Sequence, residues 1–167
     1  MATVREGRME LRFPGSARVE RLDQRGTPLP YGMALVDFVV EEASRSLLIE
    51  VKDPEGAPDP YREEELRSFR KKMKGNGLIH NELVPKARDS YTFLHLMKRD
   101  GKRFILVCLL GVGSPDPALL GDFKNRLLAR LRQETTTAWA RQYVKDCVVV
   151  TPATWASVFP NYPLNVA

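Results

Sequence analysis

Two apolar segments joined by a short polar turn constrain the fold of this chain most. The first is MALVDFVVEE and the second is SLLIEVKD, and both are rich in residues that favour strands. Such segments on either side of a short polar turn predict a β-hairpin. Charged residues interrupt both segments: Asp37 lies in the first, and Glu50 and Lys52 lie in the second. Because burying an unpaired charge is costly, these side chains are expected to pair with one another or to bind a metal.

The position of the turn predicts which residues face each other. Side chains alternate along a strand, so Glu50 and Lys52 share a face. A turn of even length centred on Ala43-Ser44 places Asp37 opposite Glu50, with Cβ atoms roughly 4.5–5.5 Å apart. A turn of odd length would break this register. The alternative is a solvated hairpin on which Asp37 faces water and the Glu-x-Lys residues are ordinary surface residues, since cross-strand Glu–Lys pairs commonly stabilise exposed sheets.

Two facing carboxylates repel each other unless positive charge lies between them. Lys52 would relieve this repulsion in part. A hard divalent cation with oxygen ligands would relieve it better. The hairpin therefore predicts a metal site as well as a structural element.

The rest of the chain alternates between helix and strand patterns. Ser16 is expected to cap a short helix that ends at Gly26, and the tail at 161–167 is expected to be irregular. Hairpins followed by helical crossovers predict an α/β fold in one domain, residues 1–167, with a mixed central sheet flanked by helices. Further strands are predicted at 8–13, 103–112 and 146–151, and helices at 61–74, 85–98, 118–133 and 151–159.

An Asp on one strand, followed about a dozen residues later by Glu-x-Lys on the next, resembles the PD-(D/E)XK superfamily of phosphodiesterases. The matching residues are Val36-Asp37 and Glu50-Val51-Lys52, with Val36 in the place of the proline. The resemblance covers residues 16–158. It implies the restriction endonuclease-like αβββαβ core, with a helical insertion at about 54–80.

The resemblance also implies the chemistry of the site. The protein would be a metal-dependent nuclease, an endonuclease or exonuclease, that hydrolyses phosphodiester bonds of DNA, with RNA as the less favoured substrate. Asp37, Glu50 and the Val51 carbonyl would bind Mg²⁺ or Mn²⁺. Lys52 would orient or activate the attacking water and offset charge on the phosphate.

Some relatives add a glutamate from the first helix of the core. Glu20 is the candidate here because the predicted Ser16 helix precedes the hairpin. Glu10 is the rival.

Basic residues predict contact with nucleic acid. The formal net charge is +5 and the isoelectric point is about 9.4, which permits phosphate binding. For the predicted helix at 61–74, an exposed face without a nucleic-acid role is an equally weighted alternative, because runs of charged residues commonly face water. The predicted nucleic-acid-binding residues are Arg67, Arg70, Lys71, Lys74, Lys86 and Arg88.

Location and partners are expected from simpler features. No apolar run approaches the ~20 residues of a membrane span, and the N-terminus lacks the apolar region of a signal peptide. A cytoplasmic protein without membrane contact is therefore expected. Cys108 and Cys147 lie in or beside apolar runs and are expected to be reduced core residues. A homodimer or a protein complex is expected to supply further DNA contacts.

Two other functions remain open from the sequence. One is a catalytically silent binding or scaffold subunit of a multiprotein assembly; a missing first-helix glutamate, or a buried site without a groove, would favour it. The other is a nucleotide-binding enzyme that uses the loop Gly111-Val112-Gly113-Ser114. That loop lacks both the third glycine of the dinucleotide motif and a Gly-Lys-Ser/Thr.

Overall fold

The strands form two sheets in the computed structural model, which describes residues 1–24, 31–113 and 115–167. The smaller sheet is antiparallel, in the order β1-β2-β8, and the larger has the order β3-β4-β5-β6-β7. The strands of the smaller sheet are β1 (Ala2–Glu6), β2 (Met9–Phe13) and β8 (Leu164–Val166). Those of the larger sheet are β3 (Arg18–Arg21), β4 (Phe38–Glu41), β5 (Arg45–Lys52), β6 (Arg103–Leu110) and β7 (Asp146–Val150).

The larger sheet is mixed, as the sequence predicts. Strands β3, β4 and β5 are antiparallel, whereas β5, β6 and β7 are parallel. Parallel neighbours need crossover connections, and helices supply them here.

Within the described residues, no helix combines the length and apolar character needed to cross a bilayer. The helices are α1 (Arg62–Lys74), α2 (Val84–Leu96), α3 (Pro117–Arg132) and α4 (Pro152–Val158).

The hairpin of β4 and β5 has the predicted turn of even length. Phe38 lies opposite Ile49 in the register, and the Glu42 N–H donates to the Arg45 carbonyl at 2.9 Å. This register is symmetric about Ala43-Ser44. Extended by one residue, it places Asp37 opposite Glu50.

Each face of the larger sheet has its own hydrophobic core. Leu48, Leu106 and Cys108 point to one face and pack against α1, α2 and α3. Ile49 and Val107 point to the other face and pack against the smaller sheet and α4. The predicted flanking by helices therefore holds for one face, whereas the other is covered mainly by strands. Strand β6 is almost wholly apolar because both its faces are covered.

Two predicted elements are wrong. Residues 18–21 form strand β3 rather than the first turns of a helix beginning at Ser16. Val19 packs against the core of one face, and backbone pairing with β4 outweighs the weak helical pattern. The end of that predicted helix, 25–26, lies outside the described residues. The tail is also not fully irregular, because Leu164–Val166 pair with β2.

The two cysteines are reduced core residues, as predicted. Cys108 and Cys147 are both buried and free of a disulfide. Burial raises the pKa of each thiol, to about 11 for Cys147. A thiol with a raised pKa is a poor nucleophile and a poor metal ligand at neutral pH.

Asp53 joins the smaller sheet to the end of β5. Its carboxylate accepts bonds from Arg8 Nη2 at 2.7 Å and from the Arg8 backbone N–H at 2.8 Å. Gly7, Gly56 and Gly111 surround this carboxylate so closely that a Cβ on any of them would overlap it. The Arg8–Asp53 pair therefore depends on glycine at three places.

Gly111→Ala is expected to destabilise the protein by about 1–3 kcal/mol, the usual cost of overpacking. The added methyl group would overlap Asp53 Oδ1 and lie 2.7 Å from Met9 Cε. Urea unfolding followed by circular dichroism measures the change. Gly121→Ala is the matched control, because no atom lies within 4 Å of its added Cβ in α3. Equal stability of the two variants would contradict the close packing around Asp53.

Candidate active site

Asp37 lies directly before β4, and hydrogen bonds fix it on several sides. Its carbonyl accepts from the Leu22 N–H at 2.9 Å, and its Oδ2 accepts from the Val51 N–H at 2.7 Å. The preceding N–H, that of Val36, donates to Ser90 Oγ on α2 at 2.9 Å. The side chain is buried, with 4% exposure. Asp37 is therefore a positioned buried carboxyl group and not a solvated surface residue.

Burial raises the pKa of Asp37 to about 8, and the charge of Glu50 adds to this effect. A hydrogen bond with Asp23 raises the pKa further, whereas the bond from the Val51 N–H lowers it. Asp23 is a neighbour that the sequence reasoning missed; it follows β3, where no motif marks it. At neutral pH and without a metal, Asp37 is mainly protonated. A bound cation would favour its ionised form.

Glu50 is buried on the same face, and its two carboxylate oxygens differ. Glu50 Oε1 lies 2.6 Å from Lys86 Nζ and 3.1 Å from Lys52 Nζ. Glu50 Oε2 is buried and has no hydrogen-bond partner in the part of the chain that the structure describes. An unpaired buried carboxylate oxygen is costly, so its presence needs a physical reason. A cation bound beside Asp37 would supply one.

Lys52 lies between two carboxylates. Its Nζ contacts Glu82 Oε1 at 2.9 Å in addition to Glu50. Burial acts to lower the pKa of Lys52, but the charges of Glu50 and Glu82 outweigh it and the pKa is raised. Lys52 is therefore an ammonium group throughout the neutral range. It can stabilise negative charge, but it is not a proton acceptor there.

Glu82 is the second neighbour that the sequence reasoning missed. It lies on a π-helical turn, Ile79–Leu83, in which the Val84 N–H donates to the Ile79 carbonyl five residues back. Pro85 follows in α2 and has no N–H, which favours an irregular turn before it. Glu82 Oε2 also lies 3.4 Å from Lys72 Nζ of α1. Glu82 thus links α1 to Lys52.

The Val51 carbonyl faces the same side as its N–H. The Gly111 N–H donates to the Lys52 carbonyl at 2.6 Å, so Lys52 directs its peptide groups towards β6. Successive residues of a strand direct their backbone N–H and carbonyl groups towards opposite neighbouring strands. The N–H and carbonyl of Val51 therefore point towards β4. The Val51 N–H bond to Asp37 agrees with this direction.

Neither candidate for the additional glutamate joins this group. Glu20 Oε2 lies 2.7 Å from Arg99 Nη1, and Arg99 also binds Glu41. Glu10 binds Arg12 at 2.8 Å on the smaller sheet. The assignment of Glu20 rested on the Ser16 helix, which is not formed.

The predicted nucleic-acid-binding residues separate into three places. Lys86 lies at the site itself, where its Nζ contacts Glu50 Oε1. Arg88 binds Glu134 at 2.6 Å, so an acidic side chain already neutralises it. The remaining four line an open groove of about 940 Å³ along α1; they are Arg67, Arg70, Lys71 and Lys74.

The described part of the glycine loop does not resemble a phosphate site. The Gly111 N–H donates to the Lys52 carbonyl, and the Gly113 N–H donates to Glu55 Oε1 at 2.5 Å. Asp53 also packs against Gly111. The N–H groups of Gly111 and Gly113 are therefore already bonded to acceptors of the protein itself, which argues against phosphate binding by residues 111–113.

A divalent metal can be tested against the residues present. Among the described residues, no group of three or more Asp, Glu, His or Cys side chains could hold a metal ion. Two carboxylates and a carbonyl remain: Asp37, Glu50 through its unpaired Oε2, and Val51. Mg²⁺ commonly uses one or two carboxylates and completes its shell with water and substrate phosphate. The donor set therefore fits Mg²⁺ or Mn²⁺, and would be poor for a metal that needs an all-protein shell.

Comparison with known proteins adds no family assignment. No family model, no curated protein and no solved structure matches this chain. Any proposal of function therefore depends on the site itself and on the resemblance of its motif.

Proposed function

We propose that this protein is a metal-dependent nuclease that hydrolyses phosphodiester bonds, of DNA in preference to RNA. One observation carries the proposal. The register of β4 and β5, extended by one residue, places buried Asp37 opposite buried Glu50, Lys52 contacts Glu50, and Glu50 Oε2 has no hydrogen-bond partner among the described residues. A buried Asp37 whose pKa is raised by burial and by the charge of Glu50, beside a fixed ammonium group, forms a site that is completed by a cation.

The order of elements supports a restriction endonuclease-like core. Strands β3, β4 and β5 are followed by α2 and then by β6, which is parallel to β5. This order is the same as that of the βββαβ part of the resembled core, apart from the additional α1 before α2. The helix that begins that core has no counterpart at residues 16–21, where β3 lies instead. The proposal therefore concerns a variant that lacks the first-helix glutamate.

The residues would divide the chemistry between them. Asp37, Glu50 Oε2 and the Val51 carbonyl would hold Mg²⁺ or Mn²⁺, which when bound lowers the pKa of a water and stabilises charge on phosphate. Lys52 would stabilise the negative charge that develops on the phosphate, because its raised pKa keeps it protonated. Lys86 would neutralise Glu50 until substrate arrives.

Helix α1 would supply the phosphate contacts. The four basic residues of its groove have no carboxylate within 4.0 Å in the described part of the chain, so their charge is free to bind an anion. A second groove of about 240 Å³ is lined by residues of α1, together with Lys52 and Glu82. The residues of α1 that line this second groove, such as Ser68 and Lys72, lie on the opposite side of the helix from the four cations. DNA bound to the cations would therefore have to pass around α1 to reach Lys52. A homodimer or a larger complex would add contacts that one short chain does not provide.

A binding or scaffold role is the second candidate. Lys52 and Lys86 already neutralise Glu50, and the additional glutamate is missing. The carboxylates are also buried, with 4% and 1% exposure for Asp37 and Glu50. Such a closed network favours a fold that is retained for binding.

Cleavage assays on plasmid, linear and single-stranded DNA and on RNA, with Mg²⁺, Mn²⁺ or EDTA, test the proposal. The native protein is expected to cleave only with metal. Glu50→Gln is expected to lower the rate by at least about 10²-fold, because it removes a charge from the metal site while keeping the shape. Lys124→Ala on α3 is the control and is expected to cleave like the native protein.

The same assay separates the two candidates. No cleavage by native protein, together with no Mn²⁺ binding by calorimetry, would reject the nuclease and favour the scaffold. Cleavage that survives Glu50→Gln unchanged would place the active site elsewhere.

A further inference from the structure

The lysines and arginines without an acidic partner are not spread evenly. Across residues 1–24, 31–113 and 115–167, most surface cations have a carboxylate within 4.0 Å or belong to one of two groups of four. One group lines the groove along α1. The second group lies at the amino ends of β6 and β7 and has no role in the proposed nuclease. It consists of Lys102, Arg103, Arg141 and Lys145.

Parallel pairing explains why this second group forms. Strands β6 and β7 start side by side, and the Lys145 N–H donates to the Phe104 carbonyl at 2.9 Å. The cations at the two strand starts therefore meet, with Arg141 a few residues before β7. They surround a pocket of about 200 Å³ that α2 closes with Tyr91. This volume is several times the share of about 30 Å³ that one water takes in the liquid.

The one acidic side chain among the described residues that line this pocket cancels only part of its charge. Asp100 lines the pocket, but its Oδ2 lies 2.5 Å from His95 Nδ1. Within residues 1–24, 31–113 and 115–167, Lys102 Nζ bonds to a carbonyl, that of Glu42 at 2.5 Å, and to no carboxylate. Asp100 also interacts with the charge of Arg141, but four cations against one carboxylate leave the pocket with a net positive charge.

Tyr91 adds a directed donor to the positive charge. Its hydroxyl oxygen accepts from Arg141 Nη2 at 2.5 Å, and the guanidinium lies 5.9 Å from the Tyr91 ring centroid. A hydroxyl that accepts from Arg141 keeps its own hydrogen for another partner. Tyr91 and Arg141 can therefore both donate to one oxygen-rich anion.

We infer that the pocket formed by Tyr91, Lys102, Arg103, Arg141 and Lys145 binds a phosphoryl group, as a phosphomonoester or a phosphodiester. Arginine and lysine beside a hydroxyl donor are the groups that recognise phosphate oxygens. The pocket lies at the amino ends of the parallel strands, whereas Glu50 and Lys52 lie at the carboxyl end of β5. It is therefore a second site, and it does not depend on the proposed nuclease activity.

Titration of ¹⁵N-labelled protein with inorganic phosphate tests this site, with sodium chloride at equal ionic strength as the reference. Amide signals of 102–104 and 141–146 are expected to shift and saturate. Arg141→Ala is expected to weaken binding by about tenfold, because a charge-assisted bond is lost. Tyr91→Phe is expected to weaken it several-fold without changing the net charge, and Lys124→Ala is expected to leave it unchanged.

Methyl phosphate and dimethyl phosphate then distinguish the two sources of the group. Tighter binding of the first assigns a monoester, and tighter binding of the second assigns a diester. Shifts that do not saturate would overturn the proposal, as would equal weakening by Lys124→Ala and Arg141→Ala. Phosphate binding should persist in Lys52→Ala; loss of cleavage alone in that variant concerns only the nuclease.

Discussion

In EDTA, Asp37→Asn is expected to be more stable than the native protein at pH 9, and to lose much of the native protein's pH dependence. Asparagine has nearly the same shape, and its Oδ1 can still accept from the Val51 N–H. It removes a buried carboxyl group that faces Glu50 in the extended register. The difference between the two proteins is expected to grow with pH.

The direction in which stability changes with pH follows from the linkage between proton binding and folding. The pKa of Asp37 is about 8 in the folded protein, against an ordinary value of 3.8. Between these values the folded state holds a proton that the unfolded state has released. Stability is therefore greatest below the lower value and falls as the pH rises towards the upper one, by at most about 1.4 kcal/mol for each pH unit. The variant has no such group at this position.

Thermal unfolding from pH 5 to pH 9, with and without Mn²⁺, measures both effects. Mn²⁺ is expected to stabilise the native protein most at high pH, because the metal takes the place of the proton on Asp37. The variant is expected to gain little from Mn²⁺ and to lose cleavage. Parallel stability curves for native and variant proteins in EDTA would contradict the raised pKa of Asp37.

The hairpin and its register could be predicted because local rules determine them. Alternation fixes the face of each residue, and the turn at Ala43-Ser44 fixes the pairing of Asp37 with Glu50. The same alternation predicts that Lys52 lies on the same face of the strand as Glu50. The mixed sheet also follows from the order of hairpin, helix and buried strand.

The other members of the site could not be predicted because distant segments supply them. Glu82 reaches Lys52 from a π-helical turn, and a single glutamate before Pro85 carries no periodic signal. Glu20 was misassigned because Val19 and Leu22 fit a helix as well as a strand, and only pairing with β4 decides between them. Tertiary pairing, rather than local preference, determines both outcomes.

Lys52→Met is expected to lower the cleavage rate by about 10²–10³-fold, the usual loss when one group that stabilises transition-state charge is removed. Methionine keeps the apolar stem of the side chain and removes the ammonium group. Lys86 still contacts Glu50 at 2.6 Å, so the buried carboxylate keeps one cation and the fold is expected to persist. Single-turnover cleavage measures the loss, and thermal unfolding checks the fold.

The pH profile and a second variant show how Lys52 acts. Because its pKa is raised, Lys52 stays protonated across the neutral range. The cleavage rates of the native protein and of Lys52→Met are therefore expected to depend on pH in the same way. Lys52→Arg keeps the charge but replaces a compact ammonium group with a planar fork, and is expected to recover only part of the rate. Glu82→Gln frees Lys52 from one of its two carboxylates and is expected to retain cleavage. A rate that follows the titration of Lys52, or a Lys52→Met variant as active as native protein, would exclude the electrostatic role of this lysine.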